Sequence, residues 1–564
     1  MPRSTLDRSR VDALLPGALS DERLDDLLFL SKAELEARDP TSLAISVTPD
    51  RLDLLSEGGL ALHLQGAIDA ATGLPSWAGP PHDAGSASFE VDPSVADLRP
   101  FLAGVRLHAP DDDGLDAGTL AEAIRFQEIV HATVGRDRRA ASLGLYPLER
   151  LEGPFRYSLE PISDVRLVPL DGDREVGAAE FFAGHPMAAR YGSYGRAGDR
   201  CLTLRDRAGL VLSLPPILNS RTGGEARVGD RALLLESTGT NERAVRDAVG
   251  LLLVPFVARG WSVRPMGVAR PGGRSDDGHA FLRPRELDLP SAVLSGIAGA
   301  SLPSVEVERR LARARLGARA HPGGWHVDVP PWRPDLQTPV DLVEDVVIAA
   351  AIRPEDGLAT ASSTRGGLRP ATRFYRRFAA ALQGLGLLAP RTSVLLSDAA
   401  VARCPGLAPI RLQNPVSAEF AYVRDRLLPS HLEVLLRNTR HGYPQRFGEV
   451  GPVLVRSPEA ESGAATRYHA SVVLASDTAG FADVAAIVDY LLRGVDALAV
   501  REPAELPATI AGRAARARVA GEAVAEMGEL TPRLLTELGV PVPVAWAELD
   551  LDTLRTLSGG DGDP

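Results

Sequence analysis

Three short stretches rich in glycine, proline and small polar residues divide this chain: Gly79–Ser86 (GPPHDAGS), Arg270–Gly278 (RPGGRSDDG) and Ser362–Leu368 (SSTRGGL). Such composition favours turns over regular hydrogen-bonded ladders, so these stretches read as linkers. They leave blocks at 1–80, 88–268, 281–356 and 369–555, followed by a Gly/Asp tail at 556–564 expected to be disordered. The length of 564 residues suits such a division, at roughly 100–200 residues per domain. A hydrophobic share of 45% and a charged share of 24% are ordinary for globular proteins and exclude a collagen-like or wholly disordered chain.

No apolar run approaches the roughly 18–20 residues of a membrane span. The longest candidate, Leu251–Val257, contains Pro255 and is soon followed by Arg259. The first residues carry Arg3 and then Asp7 with no apolar stretch between them, so no secretory signal is expected. Cys201 and Cys404 are far apart and form no CxxC, which argues against a zinc ribbon or a disulfide scaffold. The expectation is a reduced, cytoplasmic chain with no membrane association. Lys plus Arg number 62 against 74 Asp plus Glu, a net charge of -12, so binding to nucleic acid by bulk attraction is disfavoured.

Hydrophobic periodicity places helices near Glu57–Leu64, Thr119–Val134, Ser304–Leu316, Thr372–Leu387 and Ala482–Leu492. A further helix starts after Thr240-Asn241, both good N-caps. Strands are expected at Ile45–Val47, Ala141–Leu145, Val165–Pro169, Leu210–Leu214, Ala232–Leu235, Trp325–Val329, Val453–Val455, Ser471–Leu474 and Ala545–Leu549.

The stretch with most chemistry is VPPWRPDLQTPVDLVED, Val329–Asp345. Thr338 is a plausible N-cap and Pro339 suits the first helical position. Asp341, Glu344 and Asp345 then share one helical face, and Asp335 can fold back toward it. Four carboxylates without a nearby lysine repel one another, and a divalent cation would relieve this; oxygen-only ligands favour Mg²⁺ or Ca²⁺ over zinc. The other reading is that acids in a first turn simply complement the helix dipole. His131 reads as a core or capping histidine on an apolar helix face. Arg136-Asp137-Arg138-Arg139 reads as a solvated turn, with phosphate contact as the alternative, and Arg437–His441 as a surface loop. No Walker A, GxSxG or HExxH motif is present.

Several blocks in order resemble the β subunit of phenylalanine–tRNA ligase of the archaeal and eukaryotic-cytosolic type. They are VTPDRLDLLSEGGL (Val47–Leu60), FQEIVHATVGRDRRAASLGL (Phe126–Leu145), SLPPILNS (Ser213–Ser220), LESTGT (Leu235–Thr240), the acidic stretch above, Asn414–Gly451 and MGELTP (Met527–Pro532). The resemblance implies an α+β multidomain protein: an N-terminal domain, an editing-type α/β domain, a small helix-rich Mg²⁺-binding module, and a C-terminal class II synthetase-like domain with an antiparallel sheet and no catalysis of its own. It implies an assembly of two α and two β subunits that charges tRNA(Phe), with ATP consumed on the α chain. In the fourth block only Arg424 stands where a class II motif arginine would. By position, Ser213, Asn219, Glu236 and Thr238 match a pocket that hydrolyses tyrosyl-tRNA(Phe). Asp335, Asp341, Glu344 and Asp345 match Mg²⁺ positions, with the same intervals of six, three and one. Departures include Asp50 for a usual Asn, Leu52 for Pro, Asn241 for Asp and Thr531 for His. A free-standing deacylase, or a non-catalytic paralogue with its pocket plugged near Glu236, are the rival readings. DNA binding by the third block, which has a helix–turn–helix look, is a weaker one.

Overall fold

The structure is a computed structural model that describes residues 2–77, 88–270, 275–276, 278, 282–350, 366–404 and 406–559. The expected linker Gly79–Ser86 lies outside the described residues, as do most of the linker at 270–278, residues 362–365 of the third linker, 351–356 of the third block and 560–564 of the tail. The chain forms two units, Met1–Leu358 and Ala359–Pro564. Among the described residues no helix is long and apolar enough to cross a membrane.

The first unit opens with a three-stranded antiparallel sheet of β1 (Arg3–Asp7), β2 (Ala33–Arg38) and β3 (Ser42–Val47), with β3 central. Two helices follow its pattern of apolar residues, α1 (Asp21–Leu30) and α2 (Glu57–Ala67). Ser20 and Ser56 cap them by accepting the backbone N–H of Arg23 and Gly59. Leu6, Ile45 and Leu60 pack into the same core as Val105, Val130 and Phe256. The blocks expected at 1–80 and 88–268 thus contribute to one apolar core.

The second block begins with β4 (Ser88–Val91), β5 (Phe101–His108), α3 (Ala117–Ala132), β6 (Ala141–Pro147) and β7 (Phe155–Pro161). It continues with α4 (Pro186–Gly195), β8 (Arg200–Arg205), β9 (Val211–Leu214), β10 (Leu218–Asn219), β11 (Ala232–Gly239), α5 (Glu242–Leu252), β12 (Ser262–Pro265) and β13 (Gly267–Ala269). One antiparallel sheet runs β12-β5-β11-β6, and a mixed sheet, parallel at β7-β4 and β4-β13, runs β10-β9-β8-β7-β4-β13. Every residue of β6 and β11 is buried, because the sheet is covered on both faces. The strand expected at Val165–Pro169 is only Arg166–Leu167, and α4 was not expected, since its aromatic and glycine content hides the helical period.

The third block joins β14 (Arg285–Pro290), α6 (Ser304–Arg313), β15 (Gly317–His321), β16 (Gly324–Val329) and α7 (Pro339–Ile348). Its three strands run β14-β16-β15, so this module carries a sheet as well as helices. Pro322-Gly323 turns β15 into β16, with Gly323 at φ +111°, a value that favours glycine. Trp325, Val327 and Val329 face the module's core while His326 and Asp328 alternate outward.

The second unit holds a six-stranded antiparallel sheet. Its strands are β17 (Gln445–Arg456), β18 (Ala464–Ala475), β19 (Ala499–Pro503), β20 (Thr509–Val519), β21 (Glu522–Leu530) and β22 (Val544–Asp550), ordered β17-β18-β22-β21-β20-β19. Helices α8 (Pro370–Gly384), α9 (Leu428–Arg437), α10 (Phe481–Arg493) and α11 (Leu551–Leu557) accompany it. Val484, Val488 and Leu491 of α10 bury against Met527 and Ala547 of the sheet.

Candidate functional site

A cavity of about 470 Å³ opens in the second block, between α3, β6, the β9–β10 turn and β11. Apolar side chains such as Leu120, Leu143, Leu145, Met187 and Ile217 form most of its wall. Ser213, Asn219 and Glu236 join the wall, so three of the four expected pocket residues converge. Thr238 does not line it. It sits behind the wall, where its hydroxyl accepts from Arg99 Nε at 3.0 Å.

Glu236 decides the chemistry. It is 2% exposed, and its Oε1 lies 2.9 Å from the Tyr146 hydroxyl. The same hydroxyl lies 2.9 Å from Ser213 Oγ. Glu236 Oε2 is buried without a hydrogen bond. Burial pushes the Glu236 carboxyl up to about 7, against the Tyr146 hydrogen bond and the Arg99 charge. The phenol of Tyr146 is itself raised well above its usual range by burial and by Glu236. Gly144 makes this arrangement possible, because a Cβ there would come 2.2 Å from the Tyr146 hydroxyl and 2.7 Å from Glu236 Oε1. Asn219 is held by donating its amide to Leu145 O at 3.3 Å and Gly224 O at 3.1 Å.

Of the turn expected to be solvated, Arg136, Asp137 and Arg139 are exposed, while Arg138 is built into this wall. Arg136, Asp137 and Arg138 all have positive φ, between 49° and 64°. Each such residue costs on the order of 1–2 kcal/mol, so something must hold the turn. Buried Arg99 does so, donating to Arg138 O at 3.1 Å and Arg139 O at 3.2 Å. The result turns the Arg138 guanidinium inward, to Ile217 O at 2.9 Å and Glu128 at 2.8 Å. Glu128 also accepts from His131 Nδ1 at 3.1 Å, and His131 Nε2 accepts from Leu143 N at 2.8 Å. His131 is therefore the structural histidine expected. Burial opposes charge on Glu128, yet His131 and Arg138 hold its carboxyl down to about 2.

The acidic stretch of the third block takes a different form. Thr338 and Asp341 make a capping box at the start of α7, and Asp341 Oδ2 accepts from Gln337 N at 2.8 Å and Thr338 N at 2.7 Å. Asp335 and Asp345 both face buried Arg333, at 2.7 and 2.9 Å. Glu344 pairs with Lys32 at 2.6 Å, and Lys32 also reaches Asp50 at 2.6 Å. Beside them Arg51 and Asp53 form a buried pair at 2.9 Å. The expectation of acids without a nearby lysine is thus corrected. Arg333 is two residues away in sequence, and Lys32 comes from the N-terminal block. Among the described residues the four acids do not gather three ligand oxygens within 4.8 Å, so as they stand they do not fit one Mg²⁺ cage.

Comparison with known proteins bears on this architecture directly. Residues 355–551 match the family model of the "Phenylalanyl tRNA synthetase beta chain CLM domain", and residues 287–350 that of the "tRNA synthetase B5 domain". The phenylalanine–tRNA ligase beta subunit of Natronomonas pharaonis is 31% identical, covering 95% of this chain and 96% of its own. This chain belongs to the phenylalanine–tRNA ligase beta subunit family. The beta subunit of Korarchaeum cryptofilum is 28% identical, with 98% of each chain covered. An N-terminal fragment of the beta subunit from Pyrococcus horikoshii shares the fold, with a TM-score of 0.58 at 23% identity, covering 62% of this chain and all of the fragment. As a beta subunit of this family, the chain is a component of an aminoacyl-tRNA ligase.

In the beta subunit's second unit, Arg424 is 1% exposed and committed internally. It donates to Thr392 Oγ1 at 2.6 Å and Pro452 O at 2.9 Å, and pairs with Glu449 at 3.3 Å. A guanidinium spent in this way is not free for a nucleotide phosphate. Sequence reasoning missed Tyr146 and Arg138 as members of the beta subunit's pocket, and Arg99 as the buried residue that holds the turn behind it. The only signal for Tyr146 was its place two residues after Gly144 on the same strand face.

Proposed function

We propose that this chain works with an alpha subunit, in a complex of two alpha and two beta chains, to charge tRNA(Phe) with L-phenylalanine as ATP becomes AMP and diphosphate. The synthetic site lies on the alpha chain, and the complex is cytoplasmic. We propose further that the cavity around Glu236 hydrolyses tyrosyl-tRNA(Phe). One observation carries this second part: a buried carboxylate, one oxygen of which has no hydrogen bond, among the lining of a largely apolar cavity. An apolar pocket rejects an added hydroxyl weakly, whereas a buried polar group left unpaired disfavours a ligand that lacks the hydroxyl. The apolar wall holds the ring of the aminoacyl group. Glu236 accepts the phenol proton, and Ser213 and Tyr146 fix the orientation of the carboxyl group. A phenylalanyl group leaves Glu236 Oε2 unsatisfied, at a cost of about 1–3 kcal/mol.

The cavity remains open although Tyr146 bonds to Glu236, which supports this reading over that of a plugged paralogue. Deacylation of tyrosyl-tRNA(Phe) and phenylalanyl-tRNA(Phe) by the two-chain complex tests it. Wild type should hydrolyse the tyrosyl ester selectively and Glu236→Gln should lose that selectivity; equal rates on both esters in wild type would reject it. The same assay on this chain alone separates a free-standing deacylase from a subunit. For Mg²⁺, we propose that binding at Asp335, Asp341, Glu344 and Asp345 requires the ion to displace Lys32 and Arg333.

A further inference from the structure

The outward face of the third block's sheet carries a second constellation, separate from the acidic stretch. Asp288 on β14 stands directly opposite His326 on β16, and His321 at the end of β15 pairs with Gly324, one diagonal step from His326. Directly opposed residues on neighbouring strands have Cβ atoms about 4.5–5.5 Å apart, and diagonal ones are within reach of long side chains. His321 Nε2 lies 2.8 Å from Asp288 Oδ1, and His326 Nδ1 lies 3.5 Å from the same oxygen. The two imidazoles stack with centroids 4.2 Å apart. One ligand atom from each of the three residues falls within 4.8 Å of the others.

We infer that Asp288, His321 and His326 form a binding site for a borderline divalent transition metal of the zinc class. A neutral imidazole has one N–H and one lone pair. Both ring nitrogens of His321 face oxygen acceptors: Nε2 faces Asp288, and Nδ1 lies 3.3 Å from Pro322 O. Without a metal the 2.8 Å contact is a hydrogen bond from Nε2–H to Asp288; a cation would take the place of that hydrogen, with the neutral ring then keeping its N–H on Nδ1 toward the Pro322 carbonyl. A ligating histidine whose other nitrogen donates to a backbone carbonyl is the usual outer-shell pattern. Tetrahedral bonds of about 2.0–2.2 Å put neighbouring ligand atoms roughly 3.3–3.5 Å apart, so the 2.8 Å His321–Asp288 separation has to widen by roughly 0.5–0.7 Å, the 3.5 Å His326–Asp288 separation already fits, and the stacked rings have to turn to aim both lone pairs at one ion. Two imidazoles and one carboxylate suit zinc better than Mg²⁺. Three protein ligands leave a fourth position for water. Glu286, whose Oε1 lies 3.9 Å from His326 Nδ1, is already paired with Arg319 at 2.9 Å.

The test uses the full chain without a histidine tag, titrated with Co²⁺ and then Zn²⁺ in excess Mg²⁺, so that oxygen-only sites are saturated. One equivalent of Co²⁺ should give the visible bands of a four-coordinate ion, and Zn²⁺ should displace it. His326→Ala and Asp288→Asn should each weaken binding by more than the roughly 10–100-fold cost of losing an outer-shell partner. Arg319→Ala, on the same face, should retain it. Far-UV circular dichroism of each variant controls for folding. No saturable binding by the full chain, or binding unchanged in both ligand variants, would overturn the site.

Discussion

At the scale of single residues, Glu236 links burial to selectivity. Its carboxyl ordinarily titrates near 4.5, and burial raises it to about 7 in the folded chain. Between these values the folded state holds a proton that the unfolded state has lost. This group therefore makes folding less favourable as pH rises from about 4.5 through 7, and above 7 it stands ionised in the wall. The ionised form is the acceptor that a phenol needs. Hydrolysis of tyrosyl-tRNA(Phe) should rise through an inflection near pH 7, and Glu236→Gln should abolish that inflection; a pH profile unchanged in the variant would remove Glu236 from the mechanism. Gly144 bears on the same contact. With a Cβ 2.2 Å from the Tyr146 hydroxyl, Gly144→Ala has to push the phenol off Glu236 or bend β6. The expected cost is about 1–3 kcal/mol of stability, measured by denaturant unfolding, with loss of tyrosyl selectivity.

At the scale of elements, α7 shows how one helix start can carry two meanings. Asp341 already accepts two backbone N–H groups there without any ion, and removal of this cap should cost about 1 kcal/mol. Asp341→Ala should therefore loosen the third block whether or not Mg²⁺ binds, and only the metal content of the purified two-chain complex separates the readings. A fall in magnesium by elemental analysis supports the ion, and unchanged stoichiometry rejects it. Arg333 offers a sharper case. It neutralises two buried acids, so Arg333→Met would leave Asp335 and Asp345 facing each other unpaired. Loss of one partner from such a buried network typically costs about 3–5 kcal/mol, and a shift of less than 1 kcal/mol in denaturant unfolding would contradict the geometry. Much of this level was legible in the sequence. Asn241 and Thr338-Pro339 begin helices where expected, because caps are local signals. Ser213 and Asn219 stand opposite each other on neighbouring strands, whereas Glu236 meets them from the other sheet. What stayed hidden depends on distant partners. Lys32 reaches Glu344 from 312 positions away, and the strand register that brings His321 and His326 to Asp288 leaves no periodic trace.

At the scale of the whole molecule, a net charge of -12 cannot gather tRNA by bulk attraction, so any contact must come from local cations. The rim beside the Glu236 cavity offers them on aromatic supports. Arg138 and Arg190 lie over Tyr191 at 4.6 and 4.8 Å, Arg139 over Tyr194 at 5.7 Å, and Arg196 over Phe182 at 5.5 Å. Of these, Arg138 is spent on the wall, while Arg139, Arg190 and Arg196 are exposed. Exposed guanidinium groups held on these rings suit the phosphates of an unpaired strand. Each phosphate neutralised on a single strand contributes about 0.7 to the slope of log affinity against log salt. Arg139→Ala combined with Arg196→Ala should lower that slope for tRNA(Phe) binding by roughly 1.4 if each arginine meets one phosphate. Tyrosyl ester hydrolysis should slow at low tRNA concentration and recover at saturation, since Glu236 is untouched. An unchanged salt slope in the double variant would remove both arginines from tRNA contact.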